Sequence, residues 1–364
     1  MRIVAMDVFP IELTLGEPIP MSSGVIASTG NVVVRLVSDD GVIGWGEGVE
    51  APSLTGQRQG DIVADLETLR DVVVGSDPTR VNECWTGARH ALPSATTARG
   101  AIDIAIHDLV ARSLGVPVYR LIGGSFRDRV PALTLIGSGD GPADIDKLEK
   151  KRAEGFTWFK IKLGMGPAES EWATMTSARD LVGPNGVVCG DANEAWDEGE
   201  AIRFLDGAAE IGVRFVEQPV SRSDPRALLR VAESSPVPIC ADEGAGTLES
   251  VLGFAGSAVA GVSLKLIKHG GITGVMRAAG ICATAGLEVN LAGKVIESSI
   301  SAAANLHCAA AIETIDFGCS PANQGVVRDV TETPITVSDG VFAVPEGPGL
   351  GVEVDETILR RLAN

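Results

Sequence analysis

The sequence lacks the features that mark membrane, secreted and nucleic-acid-binding proteins. No apolar run is long enough to span a bilayer, and the opening residues MRIVAMDVFPIEL are too polar for a secretory signal. Positive charge is in short supply, because 30 Lys and Arg stand against 48 Asp and Glu, for a net charge of −18. Nucleic acids and acidic membranes bind clustered positive charge. We therefore expect a soluble, cytoplasmic protein with neither kind of partner.

Three local motifs are also missing: a C-x-x-C pair, a G-x-G-x-x-G after an early strand, and a G-x-S-x-G around the serine cluster at 298–301. The first absence favours buried thiols in a reducing compartment for the six scattered cysteines, with disulfides as the alternative. The absence of G-x-G-x-x-G argues against a dinucleotide-binding sheet. The absence of G-x-S-x-G argues against a serine nucleophile.

The chain opens with two apolar runs, at 3–13 and 31–37, and a third run follows SDDG. Turn residues separate the runs, which predicts an antiparallel meander. The intervening GEPIPMSSGVIASTG has no periodicity, so we expect an irregular loop there, and its residues 18–29 are a candidate lid. From 61 to 114 the apolar period becomes helical. These elements predict an α+β domain over residues 1–127.

Short apolar strands then alternate with helical stretches at intervals of roughly 25 residues, which is the spacing of successive βα units. The eight strands are PALTLIG, WFKIKLG, GVVCGDAN, RFVEQPV, PICADE, VSLKLIK, LEVNLAG and TIDFGCS. They predict a parallel (β/α) barrel over residues 128–328, with a doubly wound sheet as the other candidate. The tail, 329–364, is again turn and strand in character, and we expect it to fold back onto the N-terminal domain.

Acidic residues close three successive strands, at the edge where a barrel places its active site. Asp191, Glu217 and Asp242 are separated by 26 and 25 residues, so they should lie at similar heights on neighbouring strands. Three converging carboxylates repel one another unless a cation lies between them, and Mg²⁺ prefers such oxygen ligands. The set predicts a Mg²⁺ site, although each acid taken singly is equally consistent with helix capping.

Lysines flank the acids on both sides. Lys160 and Lys162 are two apart, so both point to one face of a strand, and Lys265 approaches from the opposite side of the barrel mouth. Removal of a proton alpha to a carboxylate places a second negative charge on that carboxylate, which a dication stabilises. Nearby Mg²⁺, the like charge of Lys160 beside Lys162 and partial desolvation should lower the pKa of the lysine enough for it to act as the base. Salt bridges to the acids are the structural alternative.

Five motifs in this order, KIKLG, GDANEAW, VEQP, ADE and SLKLIKHGG, resemble the mandelate racemase/muconate lactonizing enzyme family of the enolase superfamily, in its muconate-lactonizing branch. The segment ARGAIDIAIHDLVARSLGVPVYRLIGG resembles the family's connection between cap and barrel. The resemblance covers nearly the whole chain. It implies an α/β fold: a modified TIM barrel, (β/α)₇β, with an N-terminal α+β capping domain that the C-terminal segment completes.

The resemblance also implies roles for individual residues. One Mg²⁺ per subunit would be held by Asp191, Glu217 and Asp242. Lys162 and Lys265 would be the two acid/base lysines, with Lys160 as an electrostatic helper. The residues expected to support the metal or to contact the substrate are Asn193, Glu243 and Glu297. Lys268 matches a neighbour of the catalytic lysine and is not chosen, and His269 is a less favoured candidate base.

Departures from the family limit the substrate prediction. Asp316 is followed by Phe317 and Gly318, where dipeptide epimerases carry Asp-x-Asp, and Lys294 has no assigned role. We expect a Mg²⁺-dependent isomerase of a small carboxylate, either a muconate-type cycloisomerase or a racemase or epimerase. A hydroxy-acid or sugar-acid dehydratase is the alternative, and LEVNLAGKVIE lacks the histidine that such enzymes carry. A non-catalytic barrel is less favoured, and relatives imply a homo-oligomer.

Overall fold

The computed structural model describes residues 1–21 and 24–363, which begin with a three-stranded antiparallel sheet in the order β1-β2-β3. Its strands are β1 (Ile3–Met21), β2 (Gly24–Ser38) and β3 (Ile43–Val49). Three helices follow: α1 (Gln59–Val73), α2 (Val81–Ala91) and α3 (Thr96–Leu114). A connecting segment then contains α4 (Val118–Leu121) and the short strand β4 (Arg129–Pro131).

The expected loop between the first two strands is regular structure in the part of it that is described. Residues 18–21 belong to β1 and residues 24–29 to β2, and Ile19 pairs with Ile26 across the hairpin. The prediction of an irregular loop is therefore wrong for these residues. Hydrogen bonds between the two strands stabilise them, and the Gly-, Pro- and Ser-rich composition does not indicate such pairing. Ser22 and Ser23 lie outside the described residues, and the lid role stays a prediction.

Helix α3 is the packing centre of the capping domain. Every residue from Thr97 to Ala111 is buried, because one face of α3 packs on β3 and another on the barrel. The contact with β3 is very close, since a Cβ added at Gly46 would lie 1.9 Å from the carbonyl oxygen of Ala101. Helix α3 ends at Gly115, whose φ of 67° is the left-handed conformation that stops many helices.

Eight parallel strands form the second sheet, paired in sequence order from first to last. They are β5 (Leu133–Ile136), β6 (Trp158–Lys162), β7 (Val187–Asp191), β8 (Val216–Glu217), β9 (Ile239–Ala241), β10 (Gly261–Leu264), β11 (Glu288–Ala292) and β12 (Cys319–Ser320). A parallel bridge between Ala132 and Cys319 joins the last strand to the first. The expected barrel is therefore confirmed, and the doubly wound alternative is excluded.

Helices connect the barrel strands and cover their outer surface. They are α5 (Gly141–Ala153), α6 (Ala168–Val182), α7 (Glu198–Ala208), α8 (Pro225–Ser234), α9 (Leu248–Gly253), α10 (Leu266–His269), α11 (Ile272–Ala285) and α12 (Ser299–Ala311), with a short 3₁₀ turn at Ala209–Ile211. Within the described ranges, no helix has the length and hydropathy that a membrane crossing requires. All six cysteines are free thiols, as expected.

The tail contacts both the capping domain and the connecting segment. Strands β13 (Val337–Ser338) and β14 (Val341–Ala343) form a hairpin that pairs with β4, and the chain ends with α13 (Glu356–Leu362). The division into residues 1–127, 128–328 and 329–364 stays a prediction.

A single buried carboxylate ties three parts of this arrangement together. Asp108 of α3 accepts hydrogen bonds from the backbone N–H of Trp45 in β3 at 2.8 Å and of Leu350 in the tail at 2.7 Å. The side chain of Arg112 lies 3.0 Å from both oxygens of Asp108. Burial raises the pKa of Asp108 to about 6, with Arg112 opposing the shift.

We expect Asp108→Ala to lower the free energy of unfolding by about 3 kcal/mol, because two buried N–H groups and a guanidinium lose their acceptor. Glu353→Ala is the matched control, since Glu353 also contacts Arg112 but is 63% exposed, and its loss should cost less than about 1 kcal/mol. Urea unfolding of the three proteins measures both effects. Equal losses of unfolding free energy in the two variants would contradict the stabilising role assigned to Asp108.

Candidate active site

The acids and lysines predicted from the sequence meet at the carboxyl ends of the barrel strands. Lys162 ends β6, Asp191 ends β7 and Glu217 ends β8. These three residues are direct neighbours in the strand register, because Lys162 pairs with Asp191 and Asp191 with Glu217. Asp242 follows β9 and Lys265 follows β10 at the same edge.

The two lysines of β6 contact different carboxylates. Nζ of Lys160 donates to Oε2 of Glu217. Nζ of Lys162 donates to Oδ2 of Asp191 at 2.7 Å and also to Oδ1 of Asn193. A glycine at the end of the first strand makes room for Lys162, since a Cβ added at Gly137 would lie 2.3 Å from Cβ of Lys162.

Asp242 is held by two lysines. Nζ of Lys265 donates to Oδ2 of Asp242 at 2.5 Å, and Nζ of Lys268 donates to Oδ1 at 2.7 Å. Lys268 also donates to the backbone carbonyls of Asp242 and Ser263. Sequence reasoning did not choose Lys268, although its place one helical turn after Lys265 was a signal that both could reach the same group.

A polar layer below the strand ends was not predicted. Oγ of Ser263 donates to Oε1 of Glu217 at 2.5 Å and accepts from Nδ2 of Asn290 at 2.6 Å. All three side chains are buried. The alternation of strand residues was the available signal, because Ser263 precedes Lys265 by two positions on β10 and so faces the barrel interior.

The structure places the three supporting residues of the prediction at the same mouth. Asn193 contacts Lys162, and its Nδ2 donates to Oε1 of Glu243 at 3.1 Å. Glu297 follows β11, and its Oε1 accepts from the backbone N–H of Lys294 at 2.7 Å. Burial raises the pKa of Glu297 to about 8.

The capping domain contributes two buried residues that were not predicted from the sequence. Nδ2 of Asn31 donates to Oε1 of Glu47 at 2.7 Å and to the carbonyl of Ile296 at 3.0 Å. Glu47 in turn accepts from the backbone N–H of Ser298 and Ser301, at the start of α12. Since the contacts of Asn31 with Ile296 and of Glu47 with Ser298 join residues more than 250 positions apart, no local pattern indicates them.

Comparison with family models covers both parts of the chain. Residues 4–123 match the mandelate racemase/muconate lactonizing enzyme N-terminal domain, and residues 144–358 match the enolase C-terminal domain-like family. The chain belongs to the mandelate racemase/muconate lactonizing enzyme family of the enolase superfamily.

Individual family members resemble the chain over its whole length. A chloromuconate cycloisomerase of Pseudomonas putida is 34% identical, over 99% of this chain and 98% of its own. An N-succinyl-L-Arg/Lys racemase of Bacillus cereus is 27% identical, over 100% and 98%. The crystal structure of a muconate lactonizing enzyme of Pseudomonas fluorescens superposes with a TM-score of 0.94 at 26% identity, over 99% of both chains. All three are isomerases, which confirms the expected enzyme class.

Electrostatics at the mouth of this family member are set by the ion pairs. Burial opposes ionisation of Asp242, but the ammonium groups of Lys265 and Lys268 hold its pKa well below the usual range. Burial and the charge of Asp242 raise the pKa of Glu243 to about 7. Burial favours the neutral form of Lys265, yet the carboxylates of Asp242 and Glu217 outweigh it and raise its pKa. The lowered lysine pKa expected from the sequence applies to a site that holds Mg²⁺, so it stays a prediction.

The donor chemistry of the mouth fits a divalent cation. Asp191, Glu217 and Asp242 are buried. Burial is the main factor that raises the pKa of Glu217, and the negative charges of Asp191 and Asp242 add to this effect. Within residues 1–21 and 24–363, no three Asp, Glu, His or Cys side chains are arranged as a metal site. Each of the three carboxylates forms an ion pair with a lysine. Since hard oxygen donors suit Mg²⁺, Asp191, Glu217 and Asp242 are the residues that would hold it.

We expect Ser263→Ala to lower the free energy of unfolding by about 1–3 kcal/mol, because Glu217 loses a donor and the buried amide of Asn290 loses the shorter of its two hydrogen bonds. Ser338→Ala is the control, since Ser338 is exposed and its substitution should change stability by less than about 0.5 kcal/mol. Thermal unfolding compares the two variants with the wild type. A loss no larger than that of the control would show that the layer below the mouth contributes nothing to stability.

Proposed function

We propose that the chain is a Mg²⁺-dependent isomerase that removes a proton alpha to the carboxylate of a small substrate through an enediolate intermediate. One observation carries the proposal. Lys162 ends the second barrel strand and Lys265 follows the sixth, so the two lysines lie on opposite sides of an eight-stranded barrel. The three buried acids come from the strands between them.

This placement supports a two-base mechanism. A substrate with its alpha carbon at the centre of the mouth presents one face to Lys162 and the other to Lys265. The neutral amine of one lysine takes the proton, and the ammonium group of the other returns a proton to the opposite face, which inverts the centre. Return of the proton from the same lysine would retain the configuration of the centre. In a cycloisomerisation, an internal carboxylate of the substrate would add to a double bond to give the enediolate, and the ammonium group of one lysine would then donate a proton to its alpha carbon.

Mg²⁺ held by Asp191, Glu217 and Asp242 would neutralise the second negative charge that develops on the substrate carboxylate. The neighbouring residues position these groups. Lys160 is bound to Glu217 and supplies positive charge beside Lys162. Asn193 links Lys162 to Glu243, and Lys268 fixes the orientation of Asp242. Glu297 lies in the loop after the seventh strand, and we assign it a contact with the substrate.

The names of the relatives support a cycloisomerase or a racemase acting on a carboxylate, since both kinds occur among proteins similar along the whole chain. Strand β11 reads EVNLA and contains no histidine, so it does not support the dehydratase alternative. His269 lies buried in α10 with Nδ1 on the carbonyl of Lys265, and burial lowers its pKa to about 3. A homo-oligomer in the cytoplasm stays a prediction.

We expect deuterium exchange at one alpha carbon when muconates, N-acyl amino acids or other small carboxylates are incubated with the enzyme and Mg²⁺ in D₂O. Lys162→Ala and Lys265→Ala should each lower the rate of turnover by about 10²- to 10⁴-fold, because each removes a positioned acid/base group. For a chiral substrate, each variant should lose the exchange of the enantiomer whose alpha proton faces the substituted lysine. Proton NMR measures the exchange.

Lys147→Ala is the control for these variants, because Lys147 is an exposed lysine of α5 and its loss should leave exchange unchanged. Circular dichroism establishes that all the variants are folded. Turnover of a carboxylate that survives both active-site substitutions would overturn the two-base assignment.

Removal of the metal should abolish exchange, and added Mg²⁺ should restore it. We expect Asp242→Asn to weaken Mg²⁺ binding by more than about tenfold in calorimetric titration, because one anionic ligand is lost. Asp146→Asn, at an exposed position of α5, should bind Mg²⁺ as the wild type does. Exchange that continues in excess chelator would contradict the metal requirement.

A further inference from the structure

A fifth lysine lies at the barrel mouth, on the side away from the acids. Lys294 comes two residues after β11, the seventh barrel strand, at the same edge as the strand-end acids. In an eight-stranded barrel the seventh strand lies opposite the third, which carries Asp191. The acids and Lys294 therefore face each other across the mouth, with Lys162 and Lys265 between them.

The loop that carries Lys294 is held in a fixed conformation. Ile296 has a φ of 67°, which is unusual for a β-branched residue and costs about 1–3 kcal/mol. The capping domain supports this conformation, because Asn31 donates to the carbonyl of Ile296 and Glu47 accepts from the N–H of Ser298. The backbone N–H of Lys294 is bound to Glu297. Lys294 thus starts from an ordered backbone position.

The ammonium group of Lys294 differs from those of the other lysines at the mouth. Each of the others forms an ion pair with one of the three acids: Lys160, Lys162, Lys265 and Lys268. Among the described residues, Lys294 has no carboxylate within ion-pair distance. The nearest acids have other donors, since Glu50 accepts from the N–H of Gly30 at 3.0 Å and of Gln59 at 3.2 Å, and Glu297 accepts from the backbone of Lys294 itself.

Burial and the neighbouring lysines disfavour the charged form of Lys294 unless an anion lies nearby. The side chain is half-buried, and burial together with the charges of Lys265 and Lys162 lowers its pKa, while Glu297 and Glu50 oppose that shift. A partly desolvated ammonium group beside two others is stabilised by a nearby negative charge. A substrate whose reacting carboxylate lies on the side of the acids extends its far end toward Lys294.

We propose that Lys294 is a substrate-specificity residue, whose ammonium group binds a second carboxylate at the end of the substrate remote from the reacting carbon. This inference rests on the proposed function, because the acids must orient the first carboxylate. The preferred substrates are then dianions. Lys294 acts in binding and discrimination and takes no part in the transfer of the proton.

Binding of matched carboxylates in the presence of Mg²⁺ tests this role without requiring turnover. The probes are succinate, glutarate and adipate, each paired with the monocarboxylate of equal chain length: butanoate, pentanoate or hexanoate. Calorimetry gives the affinity of each probe for the wild type, Lys294→Met and Lys294→Arg, with Lys147→Met as the control. We expect at least one dicarboxylate to bind the wild type about tenfold or more tightly than its partner.

Lys294→Met should reduce that ratio to below about twofold by weakening the dicarboxylate alone, because methionine keeps the bulk of the side chain without its charge. Lys294→Arg should retain most of the preference, and Lys147→Met all of it. Equal weakening of both probes would indicate a structural role and overturn the proposal, as would an unchanged ratio.

The inference and the proposed function fail in different ways. An unchanged ratio in a protein that still shows Mg²⁺-dependent alpha exchange overturns the assignment of Lys294 alone. Absence of Mg²⁺-dependent binding for every carboxylate, together with absence of exchange, overturns the proposed function and the inference with it.

Discussion

The pairing of buried carboxylates with ammonium groups is the interaction on which the barrel mouth depends. Asp191, Glu217 and Asp242 are almost fully buried, where an isolated carboxylate would be strongly disfavoured. Each is contacted by at least one lysine, so that the charges are balanced inside the protein. Parallel strand register makes this balance possible, because it brings the ends of neighbouring strands to one height.

Charge balance also connects the structure to the proposed chemistry. In the observed arrangement the carboxylates of Asp242 and Glu217 raise the pKa of Lys265, and a protonated lysine cannot act as a base. A lysine at this place becomes a base only when its carboxylate has another positive partner. Under our proposal Asp191, Glu217 and Asp242 would hold Mg²⁺, whose positive charge would favour the neutral amine of a neighbouring lysine.

Most of the barrel and its acids could be predicted from the sequence because the relevant signals are local. Each strand is a short apolar run, and the polar residue that ends it is adjacent in the chain, as at Asp191 and Glu217. Regular βα spacing then converts position in the chain into position around the barrel. The outer part of the β1–β2 hairpin was taken for a loop, because its order comes from pairing between strands such as that of Ile19 with Ile26. Asn31 and Glu47 were missed because their partners lie in a distant loop.

The two sides of the mouth are held by different kinds of structure, and this has a consequence for specificity. The acids and the lysines of the second to sixth strands lie on or next to regular strands, whose hydrogen bonds do not involve the capping domain. The loop that carries Lys294 and Glu297 instead keeps its strained conformation through contacts with the cap. Under our proposals, changes in the cap can therefore move the groups that would meet the far end of a substrate, while the groups assigned to proton transfer stay in place. This separation gives a physical reason why one fold can support both cycloisomerases and racemases.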